Sequence, residues 1–405
     1  MTTLSDPPQQ GSFKISMLIN DTRYRSYTFQ ALALALLILA AGYLGSNLAQ
    51  NLRDAGLNIS YEFLGYPAGY DINQRPIEYN SQSTHMRASI VGALNTLIVA
   101  FLACVSATVI GVVAGVLRLS DNWIVGRLMS LYVEAFRNVP VLIWIIIIFT
   151  ITANVFPQPS AFRGDEPTAS MLFGSFAFTN RGVFTPAPVF GPGGWVVAVV
   201  FLASIASIFW WRGHVKKVLY DTGRILPTFL PSLAFFFIPS IIAYFVMGRP
   251  ITMEYPELKG FNFSGGLNIR GSLIALWFAL AIYTGAFIAE NVRAGILSVS
   301  KGQTEAAAAL GLRPGRIMNL VILPQALRVI IPPLISQYLN ITKNSSLAIA
   351  VGYMDLTGTL GGITLNQTGR AIESVLLLMS FYLFFSLSIA AIMNVYNNKM
   401  KLKER

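Results

Sequence analysis

Long, almost uninterrupted apolar runs dominate this chain, each separated from the next by a polar connection. A bilayer core needs about 20 mostly apolar residues in helical form. Eight stretches qualify: residues 28–46, 90–117, 139–155, 195–211, 225–247, 271–297, 329–352 and 372–395. The fourth is barely long enough. The seventh is the most polar, with its helix expected to begin beyond Pro332-Pro333. Two connections, 47–89 and about 156–194, are long and lack helical periodicity. Each reads as a surface loop or as a docking surface for an outer partner. The first run follows nearly thirty mostly polar residues, a long lead for a cleaved signal peptide, so it reads as a retained helix.

Composition agrees with this pattern. Of 405 residues, 54% are hydrophobic and only 12% charged, against about 25% charged in soluble domains. The net charge of +11 raises the possibility of a nucleic-acid binder. The basic residues are dispersed between apolar runs, however, which fits cytoplasmic loops of a membrane protein. No nucleic-acid partner is expected. With the N-terminus placed in the cytoplasm, 19 Lys and Arg fall in inner loops and tails and 9 in outer loops. The inner set includes the loop of Arg212, Lys216, Lys217 and Arg224 and the tail of Lys399, Lys401, Lys403 and Arg405. Eight spans then leave both termini cytoplasmic. The single cysteine, Cys104, and two distant histidines, His85 and His214, predict neither a disulfide framework nor a metal site. No catalytic residue is predicted.

The loop after the sixth span carries the most information. Ser300 with Gln303 has the spacing of a capping box. The alanines that follow favour helix, and Gly311 supplies a stop. A second short helix is expected from Pro314, a favoured first-turn residue, to Leu323, before Pro324. Ala306, Ala307 and Leu310 fall on one face by spacing. A face this small admits close approach by another protein, whereas a helix resting on lipid usually carries bulkier apolar residues. Charge inside the membrane is the second signal. Lys343, followed by Asn344, Ser345 and Ser346, lies within the seventh span. It is either part of a substrate path, where it can meet a carboxylate, or a structural lysine paired with a buried carboxylate or carbonyls. Glu290 with Arg293, and Glu134 with Arg137, have the spacing of intrahelical ion pairs near the cytoplasmic ends of their spans. A gate or inner-vestibule role is the alternative. Ala107, Gly111 and Gly115, and Ala281, Gly285 and Ala289, make small-residue faces suited to close helix packing in lipid.

These residues together resemble a known family. Glu305-Ala306-Ala307, Gly311 and Val321-x-Leu323-Pro324 resemble the EAA loop of bacterial ABC importer permeases, with Val321 where Ile is usual. Gly302-Gln303-x-Glu305-Ala306-Ala307 and Leu323-Pro324-Gln325-Ala326-Leu327-Arg328 are similar to the polar amino-acid permeases. In the same order come Asn95-Thr96-Leu97, which would open the second span, and Glu134-x-x-Arg137-x-x-Pro140. Gly285-Ala286-x-x-x-Glu290-x-x-Arg293 and Lys343-x-Ser345-Ser346-Leu347 follow. Asn138-Val139 replaces the usual Gly-Thr, and Ser345 the usual Thr.

The resemblance covers about 90–149 and 271–395 and implies an all-α integral membrane protein of about eight transmembrane helices, five of them forming an importer-permease core. The implied layout has a cytoplasmic segment 1–27, an extra helix 28–46 and a periplasmic segment 47–89. The first stretch of the permease core (90–151) and an insertion of two helices with periplasmic loops (152–270) follow. The remaining stretch of the core (271–395), with the coupling loop at 300–324, leads to a tail at 396–405. This enlarged plan is similar to the long permeases of general L-amino-acid importers of the Aap/Bzt type. It implies a bacterial inner-membrane location, a second, paralogous permease, two ABC ATPase subunits and a periplasmic solute-binding protein. No phosphate-cradling Gly-x-x-x-x-Gly-Lys-Ser/Thr loop is present. No cofactor is therefore expected on this chain, with ATP and Mg on the partner. An ion-gradient-driven transporter or channel is the alternative, disfavoured by the scarcity of carboxylates in the spans. A membrane enzyme ranks last.

Overall fold

The computed structural model describes residues 17–56, 59–164 and 166–400. Most of the N-terminal segment and the basic tail residues Lys401, Lys403 and Arg405 lie outside the described residues. The chain divides into two units, residues 1–61 and 62–405. In the first unit, α1 (Met17–Asn20) precedes α2 (Thr22–Asp54), a 33-residue helix containing the first predicted span.

The second unit carries the other helices. They are α3 (His85–Leu117), α4 (Trp123–Asn138), α5 (Val141–Val155), α6 (Gly194–Thr222), α7 (Phe229–Val246) and α8 (Gly271–Leu297). After them come α9 (Lys301–Ala309), α10 (Pro314–Ile317), α11 (Leu323–Asn344), α12 (Leu365–Thr368) and α13 (Ala371–Met400). Among the described residues, eight helical stretches are long and apolar enough to cross a bilayer, and they overlap the eight predicted runs.

Helix α8 is the most buried of these and packs against α3, α4, α5 and α11. The small-residue faces explain its closest crossing. A Cβ on Gly115 would stand 2.7 Å from the Ala289 carbonyl oxygen, and one on Gly111 would stand 2.9 Å from that of Gly285. Only backbones without side chains between them come this near. The Tyr132 hydroxyl closes the α4 side by donating to the Ile282 carbonyl at 2.6 Å.

Several boundaries differ from expectation. The third span is preceded by a separate helix, α4, whose start is capped by Asn122 Oδ1 accepting from Ile124 N at 3.0 Å. It ends because Val139, placed before Pro140, is extended (φ −114°, ψ 133°), as a residue preceding proline prefers. Asn95-Thr96 does not open the second span: α3 starts ten residues earlier, at His85, where Thr84 caps it. Pro332 and Pro333 lie inside α11 rather than before it. Pro324 likewise does not stop a helix but occupies the first turn of α11. The backbone reaches it through a π-helical turn, Met318–Ile322, with Leu323 N donating back to the Met318 carbonyl. Such widened turns accommodate irregular backbone within a helix.

The connections before α6 and after α7 contain strands that the absence of periodicity did not reveal. They are β1 (Ala177–Thr179), β2 (Gly182–Thr185), β3 (Ala187–Phe190), β4 (Ile251–Glu254), β5 (Glu257–Lys259), β6 (Asn262–Ser264) and β7 (Leu267–Arg270). β2 pairs with β7 and β3 with β4, all antiparallel. The segment entering α6 is thus zipped to the segment leaving α7. These two helices pack chiefly on each other, with Phe201 edge-on to Phe236 at 5.3 Å.

Candidate functional site

The loop 300–324 forms the short helix and turn that its residues imply, but the helix expected from Pro314 to Leu323 is not a separate one: it runs on through the π-helical turn into α11. Ser300 is the N-cap of α9, but its hydroxyl makes no capping bond; the Gln303 N–H is satisfied instead by the Ser300 carbonyl at 3.1 Å. The capping box is therefore not formed. Gly311 ends the turn with φ +77°, a conformation strained for residues with a Cβ. The three residues expected on one face separate. Ala307 is 5% exposed, on a helix that packs on α10 and the Met318–Ile322 turn, whereas Leu310 is 81% exposed. Gly302, Gln303, Glu305 and Ala306 are exposed too, and Pro324 is half-buried. Ala307 points inward because it lies about 100° round the helix from Ala306. Among the exposed positions of α9 and its C-cap, Gly302, Glu305, Ala306 and Leu310 fall along one side, small at its centre and acidic at one edge.

Lys343 lies in the last turn of α11, exposed, and no described carboxylate pairs with it. Asn344 ends the helix. Buried Ser345 donates to the Thr342 carbonyl at 2.8 Å, and Ser346 to that of Lys343 at 2.7 Å. These bonds carry the chain into a 3₁₀ turn, Ser345–Val351. Behind it lies a polar core. Asn95 Nδ2 donates to the carbonyls of Met354 (2.8 Å) and Gln74 (2.9 Å), and Leu356 N donates to Thr96 Oγ1 (3.1 Å). The Tyr353 hydroxyl donates to the Asn95 carbonyl at 3.2 Å. Buried Asp355 accepts from Gly358 N (2.8 Å) and from the Tyr382 hydroxyl (3.2 Å). A Cβ on Gly92 would meet the Asp355 carbonyl oxygen at 2.9 Å, so α3 and this segment touch at backbone distance.

The second charged group sits at the opposite end of α3. Glu290 pairs with Arg293 at 3.5 Å, as its spacing implies, but the expected Glu134–Arg137 pair is not among the described ion pairs. Arg137 reaches Glu290 across the helices instead, at 3.5 Å, with its guanidinium 5.3 Å from the centre of the Phe287 ring. Arg118, which follows α3, also binds Glu290 and donates through Nε to Ser130 Oγ at 3.0 Å. Three guanidiniums therefore share one carboxylate at a junction of α3, α4 and α8. No described hydrogen bond or ion pair joins this cluster to the Lys343 turn. The residues missed from sequence were Arg118, Asp355 and Tyr382. Arg118 follows the last apolar position of its span, a signal that could have been read; the other two gave none.

The segment that precedes α3 is held as firmly. The Tyr70 hydroxyl and His85 Nδ1 each lie 3.0 Å from Thr364 Oγ1. The Tyr79 hydroxyl donates to the Tyr70 carbonyl at 2.8 Å; burial first, then the neighbouring Tyr70 and Asp71, pushes this phenol's pKa up and keeps it a donor. Among the described residues no cluster of His, Cys, Asp or Glu could hold a metal ion.

Residues 194–402 match the family model described as "Binding-protein-dependent transport system inner membrane component". The glutamate/glutamine/aspartate/asparagine transport system permease protein BztB of Rhodobacter capsulatus is 51% identical, over 100% of both chains. The general L-amino acid transport system permease protein AapQ of Rhizobium johnstonii is 41% identical over 97% of this chain and 96% of its own. A solved structure of an amino acid ABC transporter with histidines superposes with a TM-score of 0.45 and 19% identity, over 78% of this chain and 95% of that one. Both the family model and the full-length relatives place this chain among membrane components that work with partner subunits: it belongs to the binding-protein-dependent transport system inner membrane component family.

Proposed function

We propose that this permease carries L-amino acids, polar or of broad range, into a bacterial cell, and that α9 is the helix through which a partner ATPase drives it. As a family member the chain is a transmembrane subunit of an ABC importer, with ATP hydrolysed on a separate subunit. That leaves no role for the ion-gradient alternative. The observation that carries the coupling role is the exposed strip Gly302–Glu305–Ala306–Leu310, held out by the buried Ala307 and ended by Gly311. A groove on the ATPase can close over alanine where it could not close over a bulky side chain. The names of the full-length relatives support the amino-acid substrate.

In this reading α3, α5, α8, α11 and α13 form the transport core, and α2 and the α6/α7 pair are additions. The complex contains a paralogous second permease, two ATPase subunits holding ATP and Mg, and a periplasmic solute-binding protein. Both termini face the cytoplasm, which puts α9 and the Glu290 cluster inside. Lys343, which pairs with no described carboxylate, lies on the substrate path with Asn344, Ser345 and Ser346. Glu290 and Arg137 line its inner end. A mild-detergent pull-down of the tagged chain tests the assembly. Recovery of an ABC ATPase and a second permease, both lost when residues 305–311 are disrupted, is the expected result. A stable oligomer without ATPase would overturn it. Uptake of labelled amino acids by proteoliposomes tests the substrate class.

A further inference from the structure

At the end of α3 remote from Arg118, the chain before the helix encloses an open cleft of 760 Å³. Arg75, Glu78, Tyr79, Asn80, Ser83 and Arg87 are among its lining residues. Two guanidiniums dominate it, each tethered to a backbone carbonyl. Arg87 Nε donates to the Glu78 carbonyl at 2.7 Å, and Arg75 Nη1 to that of Tyr79 at 3.0 Å. Both Nη atoms of Arg87 remain without a described partner. Arg75 has only a loose contact with exposed Asp71, at 3.7 Å, and Glu78 forms no described ion pair. A tethered guanidinium presents a planar fork that matches a carboxylate.

Three further observations point to a ligand. Positive residues on the outer side run against the inward bias of Lys and Arg, yet two of the three basic residues in 47–89 line this one cleft. One wall is preorganised: Tyr79, which lines the cleft, is buried in one apolar cluster with Tyr70, Ile72, Ala88 and Val91. Preorganisation lowers the entropic cost of docking. The back of the cleft is also tied to the transport core, because Gln74, next to Arg75, accepts from Asn95 through its carbonyl while Asn95 holds Met354. The cleft is open and polar, whereas a site for a free small solute encloses most of its ligand in apolar walls. Its shape fits a side chain presented by a larger body.

We propose that the Arg75–Arg87 cleft receives an acidic side chain of the periplasmic solute-binding protein; this rests on the importer reading above. The Gln74–Asn95–Met354 hydrogen bonds then connect the docked carboxylate to the segment that follows Lys343.

The test uses the assembled complex in lipid nanodiscs and the solute-binding protein that copurifies with it, with affinity measured by interferometry. Wild-type affinity is expected to fall as ionic strength rises, as for an exposed ionic contact. The Arg75→Glu/Arg87→Glu double variant is expected to bind about tenfold more weakly or worse, the loss of one charge-assisted hydrogen bond, with a flatter salt dependence. Arg87→Lys, which keeps the charge but loses the fork, is expected to fall between them. Double-variant affinity within about twofold of wild type, or wild-type binding indifferent to salt, would overturn the proposal while leaving the importer reading intact. If instead the variant lost affinity only for vesicles of anionic lipid, the cleft would belong to a headgroup and the proposal would fail. A wild-type complex that captures no solute-binding protein would remove both readings.

Discussion

Arginine placed at Ala306 and at Ala307 should fail in opposite ways. Ala306 is exposed on α9, so an arginine there meets nothing in its own chain, and the change in helix propensity is only about a few tenths of a kcal/mol. In the proposed coupling role the cost falls on the partner, where a guanidinium would enter a groove that accepts a methyl group. Ala307 is 5% exposed against the turn after α10. An arginine there must be desolvated, at about several kcal/mol, or must push α9 off its bed. Overpacking alone costs about 1–3 kcal/mol. A nine-residue helix is marginal without packing, so α9 should come loose or unfold. Reconstituted ATP-driven uptake, ATPase copurification and the melting temperature separate the two. Ala306→Arg should keep the wild-type melting temperature and lose uptake. Ala307→Arg should lose thermal stability and ATPase capture together. Wild-type uptake by a normally assembled Ala306→Arg complex would refute the reasoning.

Four further outcomes follow from packing, helix propensity, hydrogen bonding and charge. Gly111→Ala should lower the melting temperature in detergent, since the added Cβ would stand 2.5 Å from Ile288 Cβ, an overpacking cost of about 1–3 kcal/mol. Gly302→Ala, with nothing within 4 Å, should instead stabilise α9 by about 0.5–1 kcal/mol, visible as slower amide exchange in that helix. Asn95→Leu removes the donor to both Gln74 and Met354; each half-buried carbonyl left unpaired costs up to about 1–3 kcal/mol, and amide exchange in 351–364 should accelerate. Arg118→Ala should destabilise more than Arg137→Ala in thermal melts. The Arg118 side chain is 13% exposed and the Arg137 side chain 40%, so solvent screens the latter pair with Glu290.

The sites differed in how far sequence could reach them. The Glu290–Arg293 pair was readable because three residues along a helix are neighbours wherever that helix goes. The same rule misassigned Arg137, because it cannot see α8 crossing α4. Asn95 and Met354 are 259 positions apart, and nothing in either neighbourhood announces the other. The small-residue faces of α3 and α8 were legible as packing surfaces. That they pack on each other was not. The short strands flanking α6 and α7 escaped notice because each has only three or four residues, too few for an alternating pattern.

The sequence by itself determined the eight spans, the family and the short helix that follows the sixth span, since apolar run length, turn residues and local motifs act within a few turns of the chain. Only the tertiary structure decided which alanine of α9 faces outward and which carboxylate Arg137 meets. It alone decided that Asn95 and Thr96 brace the segment beyond Lys343, and that Arg75 and Arg87 share a cleft. Those are relations between side chains on different elements, and they depend on how helices cross, which a hydropathy pattern reporting only depth in lipid does not encode.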